Sequence, residues 1–84
     1  MKLREEVIIA PNSDESILVD ASGKFKGMIK LNQTASFIAT CFQSDISIEE
    51  AVNKLMDEYE VDLKTATDAV ESFVNKINEV GLFE

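Results

Sequence analysis

Cys41 is the one thiol in a chain that holds no histidine. A redox or metal role for it would need partner ligands. At an apolar helix position it is most simply a small buried residue. Carboxylates are plentiful and fall in clusters, Asp14/Glu15, Glu49/Glu50 and Asp57/Glu58/Glu60. None has the alternating Asp/Asn spacing and central glycine of a calcium loop, so solvated turns and helix faces account for them. Serine and threonine fall mostly at turn and cap positions, and no glycine-rich phosphate loop follows a strand. The sequence therefore points away from catalysis, and no cofactor or metal is expected. What it does offer is backbone, in a strand whose edge another chain could use.

Sixteen Asp+Glu against eight Lys+Arg give a net charge of −8, which disfavours nucleic acid and anionic membrane as partners. An apolar content of 45% argues for a folded chain despite that charge. Eighty-four residues suit one domain, spanning 1–84, with a shallow core. A single cysteine gives no disulfide framework, and Met1–Glu6 lacks the apolar core of a signal peptide. No apolar run approaches membrane-spanning length. A soluble, cytoplasmic protein is expected.

The elements follow from periodicity. Val7–Ala10 reads as a strand closed by the turn cluster Pro11–Asp14, and Ser16–Asp20 as a second strand closed by Ala21–Lys24. A third strand is expected over 25–31. Phe25, Gly27, Ile29 and Leu31 would share a dry face, and Lys26, Met28 and Lys30 a wet one. Gly27 in mid-strand marks a bulge, a helix passing close by, or the approach of another backbone. A first helix is expected over 34–43 with Asn32 as N-cap, its apolar stripe Ala35, Ile38, Cys41 and Phe42. Ser47-Ile48-Glu49-Glu50 is a capping box that opens a second helix reaching about residue 60. Asp62 caps a third helix running to about Val80, with Gly81 and Leu82 placed for a Schellman ending.

The order is therefore β-β-β-α-α-α: an α+β domain of winged helix-turn-helix type, with a three-stranded antiparallel sheet followed by three helices. On the third helix, Leu63, Ala66, Ala69, Val70, Phe73, Val74, Ile77 and Val80 cover an arc of about 140°. Such a stripe can pack on both other helices and the sheet; alternatively its flank, Ala69 and Phe73 with Lys76 at the rim, stays partly uncovered until something binds. As a DNA recognition helix it would carry Asp68, Glu71 and Glu79 outward, which repel phosphates.

The run Phe25-x-Gly27-Met28-Ile29-x-Leu31-Asn32-x-Thr34-Ala35-x-x-Ile38 resembles the signature of the PqqD family. The capped helix from Ser47 to Tyr59 is similar to it too, as are Asp62, Ala69-Val70, Phe73-Val74, Ile77 and Gly81-Leu82. The resemblance runs from about residue 16 to the end. It implies a recognition element for ribosomally made, post-translationally modified peptides. Such a domain binds the leader of a precursor peptide and presents it to a maturation enzyme, often a radical-SAM protein. The leader would add as a strand beside the third strand. By that resemblance, the backbone of Gly27, Met28, Ile29 and Lys30 pairs with it, and Ala69, Phe73 and Lys76 form the helix side of the groove. The strongly acidic character suggests a partner neutral or basic where they meet, although Lys26 and Lys30 could attract an acidic leader residue. The alternative is an acidic winged-helix interaction or regulatory module with no peptide substrate. An exposed third strand could also pair with its own copy in a homodimer.

Overall fold

The computed structural model describes residues 1–84. Its sheet is a meander of β1 (Val7–Asn12), β2 (Glu15–Asp20) and β3 (Met28–Leu31), paired antiparallel in the order β1-β2-β3. The expected α+β layout is present, with α1 (Gln33–Cys41), α2 (Ile48–Glu58) and α3 (Leu63–Glu79) following the sheet. β1 is longer than the turn cluster suggested, because Pro11 sits in the strand opposite Ser16. An edge strand tolerates proline, since one side of its backbone needs no partner. The chain reverses in two residues, Ser13 and Asp14, with Ser13 at a left-handed φ of 59°.

β3 is shorter than expected. The strand begins at Met28, not Phe25, and Gly27 lies just ahead of the ladder rather than within it. The cause is Asp20, whose carboxylate takes the Phe25 N–H at 3.1 Å and so bends that segment off the sheet. Asp20 also accepts from the Ser22 hydroxyl at 2.7 Å, the Ser22 N–H at 3.0 Å and Arg4 Nη2 at 2.8 Å. The close approach expected at Gly27 comes from a side chain: a Cβ there would stand 3.0 Å from the tip of the Phe25 ring. From Met28 onward the alternation holds, with Ile29 and Leu31 buried and Met28 and Lys30 exposed. The outer sheet face is less polar than a wet face should be. Ile8, Val19 and Met28 form a cross-strand row on it, and Met28 is 71% exposed.

Each helix starts where its cap stands. Asn32 accepts from the Ala35 N–H at 2.8 Å and Asp62 from the Thr65 N–H at 2.8 Å. The Ser47/Glu50 capping box is complete, at 3.0 and 3.1 Å. Gly81 takes a left-handed φ of 71°, and both Schellman bonds form: Leu82 N–H donates to Ile77 O at 3.3 Å and Gly81 N–H to Asn78 O at 3.1 Å. The core joins Leu18, Ile29 and Leu31 from the sheet to Ile38, Phe42, Leu55, Val70, Phe73 and Ile77. Two residues depart from the expected stripes. Leu63 is 61% exposed, because it stands at the first residue of α3, and Cys41 is only half-buried. Burial still pushes the Cys41 thiol above its ordinary value, against the opposing charge of Lys54. No helix is long and apolar enough to cross a membrane.

Asp20 is the one charged residue in the core, and its side chain has no exposed surface. Hydrogen bonds, first from the Ser22 hydroxyl and then from Arg4 and the Phe25 and Ser22 amides, hold its carboxyl well below the usual carboxylate range. Hydrogen bonds from Thr65 lower Asp62 in the same direction. A depressed carboxyl contributes stability that is complete above its unfolded value of about 4 and is lost as pH falls through the folded value. The melting temperature should therefore fall as pH drops from about 5 toward 2. Asp20→Asn should melt lower at neutral pH and lose part of that acid slope. Thermal melts followed by circular dichroism across this range test it, and an unchanged slope would count against the Asp20 network.

Candidate functional site

β3 has β2 on one side and no strand on the other. α3 packs on α1 and α2, and none of its Cα atoms comes within 8 Å of a strand Cα. α1 alone spans from the sheet to α3. The backbone of α3 thus lies closest to the two helices, and a gap remains between the free edge of β3 and α3.

That gap is an open groove of about 310 Å³. Lys30, Leu31 and Asn32 line it from β3 and its exit, Thr34, Ala35 and Ile38 from α1, and Ala69, Ser72, Phe73, Lys76 and Ile77 from α3. Of the residues anticipated from the sequence, Lys30, Ala69, Phe73 and Lys76 are brought together here. Met28 and Ile29 belong to the same strand but not to the groove wall, and Ile29 points into the core. Gly27 lies outside both the strand and the groove.

The residue pattern does not mark the α1 contribution, because Thr34, Ala35 and Ile38 have the pattern of signature and core positions only. Thr34 and Ala69 also open onto a second, smaller pocket of about 120 Å³. Its other walls are Leu55, Tyr59, Val61, Thr65 and Ala66. The groove thus continues toward the α2–α3 connection as an apolar recess. The spacing of Tyr59 and Val61 around the helix break, just after the α2 stripe, was the signal that could have found it.

Phe73 is not a loose flank. It is buried and stacks on Phe42 with ring centroids 6.1 Å apart and planes 10° from parallel. It lines the groove while remaining buried. Ala69 is half-buried and Lys76 exposed, so the α3 wall grades from apolar floor to charged rim. Lys30 and Lys76 make no ion pair; the pairs present involve Lys2, Arg4, Lys64 and the chain's amino terminus. No three His, Cys, Asp or Glu side chains are grouped so as to hold a metal ion, and every buried side-chain polar atom has a hydrogen-bond partner. The arrangement can hold an extended chain by its backbone and grip apolar side chains.

The model of the family described as coenzyme PQQ synthesis protein D (PqqD) matches residues 5–82. The chain belongs to the PqqD family. Its fold is similar to that of TbiB1 in complex with the TbiA(beta) leader peptide, at 25% identity and a TM-score of 0.81, covering 100% of this chain and 95% of that one. It is also similar to a lasso peptide synthetase B1 complexed with the leader peptide, at 28% identity and a TM-score of 0.74, covering 96% and 93%. No curated protein matches the sequence. The PqqD match takes in all three strands, including the first, which carried little of the sequence resemblance.

Because Phe73 serves the core as well as the groove, its truncation must be read as a folding change first. Phe73→Ala should cost about 3–5 kcal/mol of stability. Ile29→Lys, which places an unpaired charge in the core, should cost at least as much as a typical core truncation, about 2–5 kcal/mol. Urea unfolding curves measure both. An Ile29→Lys variant with the wild-type midpoint would mean that β3 is out of register by one residue.

Proposed function

We propose that this PqqD-family chain, as one recognition domain over residues 1–84, binds the leader segment of a ribosomally made precursor peptide and presents it to a maturation enzyme. That enzyme is a radical-SAM protein or another modifying enzyme. The leader adds as a fourth strand on the free edge of β3, pairing with the backbone of Met28, Ile29 and Lys30 and of Gly27 just ahead of them. Its inward side chains settle against Ala69, Phe73 and the stem of Lys76. The domain does no chemistry itself and works in the cytoplasm.

The observation that carries this reading is the unfilled gap between β3 and α3. An edge strand leaves a row of amides and carbonyls without partners, and an extended peptide can take them up while side-chain pockets supply selectivity. Both solved structures described above are of leader-peptide complexes, which supports the same assignment. The core lies on the far side of Ile29 and Leu31, so a strand can dock at the edge without the sheet having to open.

Titration with the leader of a precursor peptide encoded beside the gene tests the proposal. Ala69→Glu puts a carboxylate on the groove wall without emptying the core, and it should weaken binding about tenfold or more while the protein stays folded. Hydrogen exchange on the complex should show new protection at Met28–Leu31 and none at Val7–Asn12 on the opposite edge. Protection confined to β1, or wild-type affinity in folded Ala69→Glu, would refute strand addition at this groove.

A further inference from the structure

Lys30 and Lys76 stand on opposite walls of the groove, one from β3 and one from α3, and both are exposed. Neither is within ion-pair distance of any of the sixteen Asp and Glu side chains. No Asp or Glu lines the groove at all, in a chain where acids outnumber bases two to one. The first turn of α1 also lines the groove, through Thr34 and Ala35, and carries no acidic residue to neutralise the positive end of the helix. This groove is therefore lined by two cations and no acid on an acidic protein.

We propose that the groove selects an extended peptide carrying a single Asp or Glu between Lys30 and Lys76, with apolar side chains at alternate positions on the groove side. The proposal rests on the strand-addition reading and names the leader chemistry that the groove accepts. A guard against promiscuous edge pairing would explain Lys30 but not Lys76, which is on a helix. Main-chain pairing alone leaves an added strand free to slip by two residues, since every second residue presents the same backbone groups. One carboxylate held between two lysines removes that freedom. The remainder of the surface, with its excess of carboxylates, disfavours the same peptide anywhere else. An acidic leader residue thus sets both register and site, and the overall charge of the protein does not predict the charge of its partner.

A random-peptide display library panned on immobilised protein tests this. The wild type should enrich peptides with alternating apolar residues and one Asp or Glu at a fixed offset from them. A selected peptide, made synthetically, should lose about two- to fivefold in affinity for each of Lys30→Gln and Lys76→Gln at low salt. The loss should shrink at high salt, where exposed charges are screened. The double charge reversal Lys30→Glu/Lys76→Glu should enrich Lys or Arg at the same offset. Alternating apolar peptides with no acid preference, or an acid preference that persists after reversal, would overturn the lysine clamp and leave strand addition standing. A library that yields no alternating peptide, or peptides indifferent to Ala69→Glu, would overturn both.

Discussion

The fold hangs on a buried carboxylate and the arginine that meets it. Asp20 ends β2, and Arg4 reaches it at 2.8 Å while its Nε donates to the Gly81 carbonyl at 3.1 Å, just past α3. One side chain thus ties the loop that leads into β3 to the end of the helix that faces β3. At the opposite side, α1 fills the space between sheet and helix. These two braces set the spacing of β3 and α3; Arg4 stands outside the groove, whereas α1 also lines it. Asp20 has acceptor capacity for four donors and uses it fully, which lets a charge sit in the core without being orphaned.

The two edges of the sheet are not equivalent. β1 is blunted by Pro11, which has no N–H to offer, and by the hairpin turn at Ser13 and Asp14. β3 carries only Lys30 as an obstacle to pairing, and it stands beside a groove rather than open solvent. A four-residue edge is short enough to resist indiscriminate association, yet a partner that also fills the groove gains side-chain contacts that a stray strand does not. On the proposed reading, the backbone of the strand would supply affinity that is blind to sequence, and selectivity would come from the helix walls together with the Lys30 side chain.

Much of this was legible from residue pattern, and for identifiable reasons. Caps are local, so Asn32, Ser47, Asp62 and Gly81 marked the helix ends correctly. Alternation over Met28–Leu31 gave the core face of β3, because a period of two leaves only one consistent register. What failed was non-local. Nothing in the sequence pattern shows that Asp20 captures the Phe25 amide, so 25–27 looked like strand. Arc width on α3 could not distinguish a helix covering the sheet from one held off it by α1. Lys30, Ala69, Phe73 and Lys76 were named together on resemblance; their convergence on one groove is a tertiary fact. The Leu3–Phe83 bridge, which pairs the two ends of the chain, has no local signature at all.

The structural role of α1 joins stability to binding. It has nine residues, no acid in its first turn and no base in its last, so neither length nor dipole compensation supports it alone. It persists because Ile38, Ala39 and Phe42 are almost wholly enclosed, with Phe42 flanked by Phe73 and Phe83. The same helix provides Thr34, Ala35 and Ile38 to the groove. A peptide seated there covers the least self-sufficient helix, and anything that binds only the folded form shifts the folding equilibrium toward it. Core and groove therefore share one floor, and on the proposed reading substitutions there would act on recognition and folding together, whereas substitutions at the exposed lysine rim would leave the core intact.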